Sequence, residues 1–364
     1  MNQAVTVFTL HFLRKMKTDI KSLTLEQLNH AVKELSLPAF RAKQIFKWLH
    51  EVGCTSFDEM TNLSKELRNK LSENYYISRC DIEDKYVSSM DDTVKYLFRL
   101  TDGEFIESVV MKYSYGYTIC VSSQVGCKMG CTFCASTLAG FTRNLTPGEI
   151  ESQIHTAQSD LGIRISRIVM MGIGEPLDNF DNVLDFLSNV NNENGLNISM
   201  RNITISTCGV VDRIYDLMDR NLQLTLTISL HAPNDEIRSR TMPINRRYPI
   251  DTLLKACREY GEHTGRRVSF EYTLIKDVND SEQDAQELSQ RLKGSLCHVN
   301  LIPVNDVKER GNVRSSKETI IKFCNVLKRN GINATIRRTL GADINASCGQ
   351  LRHLKRGDMN ENSR

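Results

Sequence analysis

Apolar residues near the amino terminus repeat at the three- and four-residue spacing of helices. The first run, 25–35, is preceded by Thr24 and Gln27 in a capping-box pattern, which is typical of a helix start. Two further runs, 42–49 and 63–71, keep the same spacing. The pattern predicts a small amino-terminal helical domain.

The apolar period then changes from helical spacing to strict alternation. Residues 94–100 alternate up to the dipeptide Asp102-Gly103, and a second run continues over 105–113, which predicts a β-hairpin. Glu107 lies in the second strand among apolar neighbours on the same face. A carboxylate is unusual there unless the face is exposed or the group is used.

From residue 118 onward, short apolar strands alternate with amphipathic helices. This is the pattern of parallel βα units, and ligands bind at the carboxyl ends of such strands. Either an open doubly wound sheet or an incomplete barrel fits it. The predicted strands are 118–123, 167–171, 202–206, 224–230, 268–275 and 298–304.

Composition bounds the class of protein. The 364 residues are 40% hydrophobic and 25% charged, which is ordinary for a globular chain of this length. No apolar run approaches the roughly 18 to 20 residues that span a bilayer, so we expect no membrane association and a cytoplasmic protein. Eleven irregularly spaced cysteines favour reduced thiols over a disulfide scaffold. The net charge of +3 neither requires nor excludes a nucleic-acid partner.

The strongest chemical signal is a cysteine loop after the first of these strands. Cys127, Cys131 and Cys134 follow the spacing C-x3-C-x2-C with glycines between them. Three thiolates can hold a 4Fe-4S cluster and leave one iron open for a substrate. A zinc site would need a fourth protein ligand, and Cys120 lies inside a strand. The spacing favours a cluster, while zinc and unligated core cysteines stay open.

This loop, with an aromatic residue before its last cysteine, resembles the radical S-adenosylmethionine superfamily. The resemblance implies a partial (βα)6 barrel. It also implies that the open iron binds S-adenosylmethionine, whose reductive cleavage gives a 5′-deoxyadenosyl radical.

Five ordered motifs narrow the resemblance to the RlmN/Cfr family, the adenine methyltransferases of 23S rRNA and tRNA, over about residues 20 to 356. The motifs are Cys120 to Cys127, Met171-Gly172-Ile173-Gly174-Glu175-Pro176, Ser229-Leu230-His231, Met242-Pro243-Ile244-Asn245 and Ala346-Ser347-Cys348-Gly349-Gln350-Leu351. The α/β fold then implied is a partial (βα)6 radical SAM barrel with a small amino-terminal helical domain and a β-hairpin extension. We expect the chain to be divided into a disordered extension (1–20), a helical domain (21–76), a hairpin linker (77–117), the barrel (118–340) and a carboxy-terminal segment (341–364).

The family assigns roles to matching residues. The resemblance implies that Cys348 accepts a methyl group, that Cys120 resolves the RNA adduct through a disulfide, and that Glu107 accepts a proton. Read alone, Glu175 is an acceptor at a strand-end turn, and the other positions lie near strand ends. The cofactor-binding positions implied by the family are Gly174, Glu175, Ser206, Ser229, Leu230, His231 and Asn305.

The implied reaction consumes two S-adenosylmethionine molecules and methylates carbon 2 of adenine 2503 in 23S rRNA and of adenine 37 in tRNAs. A flavodoxin-like electron donor and a monomeric enzyme are expected with it. An RNA substrate makes the late basic residues candidates for phosphate contacts. These are Arg337, Arg338, Arg352, Lys355 and Arg356.

Three alternatives remain. A carbon-8 methyltransferase of the Cfr type shares the cysteines, although Pro176 is typical of the carbon-2 branch. A metal-bearing RNA-binding module without catalysis, or an iron-sulfur redox protein, would also use the cysteine loop. Neither of these two explains the Gly174-Glu175 turn together with Cys120 and Cys348 in one chain.

Overall fold

The computed structural model describes residues 17–304 and 311–344, with 349, 351–353 and 355 beyond them. Within this part of the chain, no helix is both long and apolar enough to cross a membrane.

The amino-terminal unit is built from short helices around its own apolar core. Thr24 and Gln27 form the predicted capping box at the start of the first helix. The core centres on the buried side chains of Phe46 and Leu49. Its elements are β1 (Thr18–Asp19), α1 (Leu25–Glu34), α2 (Phe40–Lys47), a π-helical turn (Trp48–Val52), α3 (Lys65–Asn74) and β2 (Tyr75–Tyr76).

The rest of the molecule is organised by one ten-stranded sheet, which joins the hairpin to the barrel strands without a break. Its ten strands are β3 (Cys80–Val87), β4 (Val94–Leu100), β5 (Phe105–Tyr113), β6 (Gly116–Cys120), β9 (Ile165–Met170), β10 (Ile203–Thr207), β11 (Thr225–Ser229), β12 (Val268–Leu274), β13 (Cys297–Pro303) and β14 (Ala334–Ile336). Their order in the sheet is β14-β13-β12-β11-β10-β9-β6-β5-β4-β3, antiparallel from β3 to β6 and parallel from β6 to β14. A short separate pair, β7 (Gln124–Val125) and β8 (Arg143–Asn144), flanks the cysteine loop.

Helices link the parallel strands and cover one face of the sheet. Alternation in the strands separates the faces: Ile119, Ile168 and Ile205 lie in the core beside the helices, whereas Cys120 and Ser206 belong to the opposite set. The helices are α4 (Pro147–Leu161), α5 (Phe180–Asn191), α6 (Val211–Asp219), α7 (Asp235–Thr241), α8 (Ile250–Thr264), α9 (Glu282–Leu292) and α10 (Lys317–Arg329).

The predicted partial barrel and hairpin are confirmed, with two additional strands. β3 extends the hairpin to three antiparallel strands, and β14 adds a further parallel strand at the far edge. The polar pattern of β3 hid it, because only Cys80 of its eight residues is fully buried. β14 has three residues, too few for alternation to mark it.

The chain after β14 returns across the sheet to the antiparallel strands. Asp343 accepts hydrogen bonds from Ser88 and Ser89 in the loop between β3 and β4, and Gly341 N–H donates to Asp91. These contacts bring the carboxy-terminal segment next to the strand that carries Glu107.

Candidate functional site

The cysteine loop makes a tight, largely buried turn. Cys127 and Cys131 are buried and Cys134 is half-buried. The turn requires glycine at Gly126, where φ is +81° and an added Cβ would lie 1.7 Å from the carbonyl oxygen of Gly140. The loop backbone therefore has little freedom to move away from its neighbours.

Burial makes these thiols poor acids on their own. Desolvation raises the pKa of Cys127 to about 12, and the neighbouring thiol of Cys134 adds to the effect. Desolvation also raises the pKa of Cys131, where both other loop cysteines contribute. Positive metal centres offset that cost when thiolates form, so this donor set suits a cationic cluster. Among the described residues, no group of three His, Cys, Asp or Glu side chains lies close enough together to bind a single metal ion.

The Met242-Pro243-Ile244-Asn245 motif supports this loop. Met242 is fully buried and packs with Cys131 and Cys208. Thr132 N–H donates to the carbonyl of Thr241, at 2.9 Å. Pro243 lies opposite Gly130, where an added Cβ would come within 3.5 Å of the proline ring. The motif thus fixes the position of the cysteines.

The glycine turn after β9 lies against the end of β6. An added Cβ at Gly172 would lie 2.6 Å from the carbonyl oxygen of Val121, and one at Gly174, whose φ is +113°, would lie 2.7 Å from Cβ of Gln124. Gln124 Oε1 also accepts a hydrogen bond from Glu175 N–H, at 2.8 Å. Both glycines are therefore required by close approach of two backbone segments.

Glu175 is a buried carboxylate at the carboxyl ends of the strands. Its two oxygens accept hydrogen bonds from the backbone N–H groups of Cys208 (2.7 Å) and Leu177 (3.0 Å). Desolvation raises its pKa, with these donors opposing the change. A carboxylate held in this way can accept hydrogen bonds from an ammonium group.

The other predicted cofactor positions lie on neighbouring strand ends. Ser206 Oγ donates to Glu271 Oε2 at 3.4 Å, and Leu230 N–H donates to the Glu271 carbonyl at 3.0 Å. Ser229, the last residue of β11, is paired with Glu271 in register. Glu271 therefore joins these positions, and sequence reasoning missed it because it is one acid within an apolar strand.

His231 has an uncommon backbone, with φ at +54°. Its Nδ1 accepts a hydrogen bond from Thr273 N–H at 2.9 Å, which leaves the proton of the neutral ring on Nε2. Burial lowers its pKa to about 3, and Arg238 contributes. The ring packs edge-on against Phe133 of the cysteine loop, with centroids 4.8 Å apart. A neutral N–H donor therefore lies beside the loop.

Arg238 is a second residue that sequence reasoning missed. Its guanidinium is fully buried in α7 and donates to the carbonyls of Cys208 (2.7 Å), Ser229 (3.3 Å) and Leu230 (3.2 Å), and to Asn245 Oδ1 (3.0 Å). It thereby ties the ends of β10 and β11 to the motif that supports the cysteine loop. A single basic residue in a short helix that also contains Arg240 gives no sequence signal for this role.

Cys120 and Glu107 lie on adjacent strands of the same sheet. Cys120 is buried at the end of β6, opposite Val109 of β5, and Glu107 is two residues along the same face. The exposed-face interpretation of Glu107 is wrong, because the residue is 1% exposed. Its carboxylate pairs with Lys95 (3.1 Å) and accepts hydrogen bonds from the backbone N–H groups of Gly349 (2.9 Å) and Arg352 (2.8 Å).

Two predicted site residues, Cys348 and Asn305, lie outside the described residues, as does Arg356. No disulfide joins any two of the cysteines that the structure describes. The expectation that Arg352 faces RNA is wrong: its side chain is 2% exposed and contacts the Gly140 carbonyl. Lys355 pairs with Glu83 at 2.9 Å.

Comparison with known proteins gives matches over most of the chain. The model of the radical SAM superfamily matches residues 121–288, and that of the ribosomal RNA large subunit methyltransferase N-terminal domain matches residues 18–77. A protein of Alkaliphilus oremlandii described as a probable dual-specificity RNA methyltransferase RlmN is 56% identical over 93% of this chain and 99% of its own length. A relative of the same description from Clostridium tetani is 54% identical over 92% of this chain and 95% of its own.

A solved structure is also similar. The crystal structure of a radical SAM methyltransferase from Sphaerobacter thermophilus has a TM-score of 0.87 and 43% sequence identity, covering 92% of this chain and 98% of that one.

Proposed function

Because the chain belongs to the RlmN family of radical SAM RNA methyltransferases, we propose that it methylates carbon 2 of adenine, at adenine 2503 of 23S rRNA and adenine 37 of tRNAs. Members of this superfamily use a 4Fe-4S cluster and S-adenosylmethionine. The cysteine loop formed by Cys127, Cys131 and Cys134 would hold the cluster. The cluster, when bound, supplies the electron that cleaves S-adenosylmethionine.

One observation carries the proposal. Gly349, the covalent neighbour of Cys348, donates its backbone N–H to Glu107 Oε2, on the strand next to the one that ends at Cys120. The resolving thiol must reach the sulfur of the methyl-carrying thiol to form a disulfide, so the two cysteines have to belong to neighbouring segments. The hydrogen bond from Gly349 thus places the residue that follows Cys348 on the face of the sheet that also carries Cys120.

Binding of the amino-acid part of S-adenosylmethionine is assigned to the strand-end residues. Glu175 would accept hydrogen bonds from the ammonium group. Gly174 permits the close backbone approach, and Ser206, Ser229, Leu230 and His231 line the adjoining strand ends. Asn305 is assigned to the same site from the family motif.

The two cysteines carry the methyl group in two stages. The Cys348 thiolate first attacks a sulfonium methyl group, which forms an S–CH3 bond and releases S-adenosylhomocysteine. Carbon 2 of adenine is too electron-poor for the same direct transfer, so a second S-adenosylmethionine is needed to activate the S-methyl group. Once the activated carbon is bonded to carbon 2, Glu107 would accept the ring proton. The Cys120 thiolate would then attack the Cys348 sulfur, which forms the S–S bond and breaks the bond from that sulfur to the transferred carbon, and this carbon takes up a proton to become the methyl group.

Electrons balance over this sequence. Cys120 and Cys348 are oxidised to a disulfide, and the second S-adenosylmethionine is reduced to methionine and 5′-deoxyadenosine. The disulfide must be reduced before the next turnover. A flavodoxin-like protein would supply electrons to a monomeric, cytoplasmic enzyme.

The test replaces Cys120 with Ala in cluster-loaded enzyme. Without the resolving thiol, RNA should remain covalently attached to Cys348, and nuclease digestion with mass spectrometry should find a nucleotide adduct. The matched control is Cys324→Ala, which replaces a buried cysteine of α10 that has no role in the proposed reaction. This variant should give free methylated RNA. Absence of any adduct would contradict the roles of the two cysteines.

The position of methylation is tested separately with the wild-type enzyme. Digestion of modified RNA to nucleosides should give 2-methyladenosine by chromatography against standards. A dominant 8-methyladenosine product would instead identify the Cfr-type reaction.

A further inference from the structure

A buried ion pair lies behind the carboxy-terminal segment. Lys95 Nζ and Glu107 Oε2 are 3.1 Å apart, and neither side chain has any exposed surface. Lys95 lies on β4 and Glu107 on β5, where the register pairs Leu97 with Glu107 and Lys95 with Val109. The two charged residues are therefore diagonal neighbours on one face of the sheet.

Glu107 also binds the backbone of the carboxy-terminal segment. Oε2 accepts from Gly349 N–H at 2.9 Å, and Oε1 accepts from Arg352 N–H at 2.8 Å, at the start of the helical residues 351–353. Each oxygen thus accepts a hydrogen bond from a separate point of the segment.

Two further contacts fix the same stretch of chain. Gly349 has a φ of +88°, and an added Cβ would lie 2.4 Å from the backbone nitrogen of Ser136. The guanidinium of Arg352 donates to the carbonyl of Gly140 at 3.3 Å. Ser136 and Gly140 both follow the cysteine loop, so the segment is held between that loop and β5.

The charge of Lys95 compensates the charge of Glu107, whose carboxylate binds two backbone N–H groups of the carboxy-terminal segment. Burying a charge is costly unless the charge is paired and hydrogen-bonded. Lys95 provides the opposite charge, and the backbone N–H groups of Gly349 and Arg352 provide hydrogen bonds to the two oxygens.

We propose that Lys95 and Glu107 act together as positioning residues, which hold Gly349 and Arg352 against the sheet and thereby limit where the adjoining Cys348 can lie. Only the assignment of Cys348 as methyl acceptor rests on the proposed function. The docking itself involves Gly349 and Arg352 and is independent of the reaction product. On this proposal Glu107 acts before any RNA chemistry, when Cys348 receives its methyl group.

The experiment compares Lys95→Met, Glu107→Gln and the double variant with a matched control, Lys85→Met. Lys85 is a lysine of the neighbouring strand β3 that pairs with Asp160 on α4 instead of Glu107. The first readout is hydrogen exchange at the amides of Gly349 and Arg352 in purified protein. The second is the rate at which Cys348 becomes methylated by S-adenosylmethionine in cluster-loaded protein without RNA, measured by peptide mass spectrometry.

Both single variants should lose about 10- to 100-fold of the amide protection, the effect of removing a charge-assisted hydrogen bond. Cys348 methylation should slow in both, and the double variant should be no worse than either, because the pair acts as one unit. Lys85→Met should match wild type in both readouts. If Glu107 is solely a base, Glu107→Gln will methylate Cys348 at the wild-type rate with full protection, and the proposal is overturned.

A variant in the segment guards against misfolding of the buried-pair variants. Gly349→Ala leaves Lys95 and Glu107 intact but clashes with the backbone of Ser136. It should lower protection of the Arg352 amide and slow Cys348 methylation, and wild-type values in both would also overturn the proposal. A product other than 2-methyladenine would contradict the proposed function while leaving the amide measurements, and hence the docking pair, unaffected.

Discussion

Replacing Glu151 with Gln should loosen the amino-terminal unit from the barrel. Glu151 of α4 is completely buried, and its two oxygens bond His50 Nδ1 at 2.7 Å and His155 Nε2 at 3.1 Å. His50 belongs to the π-helical turn Trp48–Val52 of the amino-terminal unit, so this contact crosses between the two parts of the molecule. Gln keeps the volume but has one acceptor oxygen, so one imidazole faces an N–H donor.

Two considerations agree on the magnitude. Despite burial, the two histidines lower the pKa of Glu151 from its ordinary 4.5 to about 2. At 1.36 kcal/mol per pH unit, this corresponds to stabilisation of the ionised form by about 3 kcal/mol. Breaking a buried pair from one side typically costs about 3 to 5 kcal/mol. We expect a loss near the lower value, because Gln preserves packing and one hydrogen bond.

The single tryptophan provides the assay. Trp48 adjoins His50 on the same turn, so its fluorescence during urea unfolding reports on the amino-terminal unit, while circular dichroism follows the whole chain. With a urea m-value of roughly 2 kcal/mol/M, the fluorescence midpoint should fall by about 1 to 2 M. Glu51→Gln, whose side chain is 54% exposed in an ion pair with Lys47, should leave it unchanged. A midpoint within about 0.3 M of wild type for Glu151→Gln would refute the reasoning.

Three further predictions follow from the same geometry. Burial lowers the pKa of His155 from 6.5 to about 4, so the folded state resists protonation of this side chain more than the unfolded state does. The neutral ring therefore contributes fully to the free energy of unfolding above pH 6.5, and up to about 3 kcal/mol of that free energy is lost as the pH falls toward 4. Urea midpoints measured at pH 7.5 and 5 should differ in that direction, and less so in His155→Gln. Cys131→Ala in anaerobically prepared protein should remove most of the bound iron, with Cys257→Ala as control, and zinc retained in place of iron would contradict a cluster. Gly174→Ala should weaken S-adenosylmethionine binding at least tenfold, as measured by calorimetry, because the added Cβ would lie 2.7 Å from Gln124. The iron content should not change, and an unchanged affinity would show that the turn can accommodate a side chain.

Local sequence determined the elements and the chemical donors. Neighbouring residues alone determine the capping box at Thr24 and Gln27 and the alternation in β4 and β5. The structure contains this capping box and these two strands. The same holds for the cysteine loop, since C-x3-C-x2-C with its glycines places three thiols in one turn without help from distant segments. The family motifs implied which residues bind the cofactor. In the part of the chain that the structure describes, Ser206 and Ser229 of this set lie at the ends of adjoining strands.

Tertiary structure alone decided the roles of buried charges. A Lys at 95, an Arg at 238 and an Arg at 352 look like ordinary surface residues in sequence, yet each is 2% exposed or less. Their burial depends on which distant carbonyls and carboxylates they meet, and strand register and the return path of the carboxy-terminal segment bring those partners together. Sequence periodicity records which face of an element is apolar, whereas the partner of a charged side chain is fixed only when separate elements come into contact, whether they are close in sequence, as for Lys95 and Arg238, or far apart, as for Arg352.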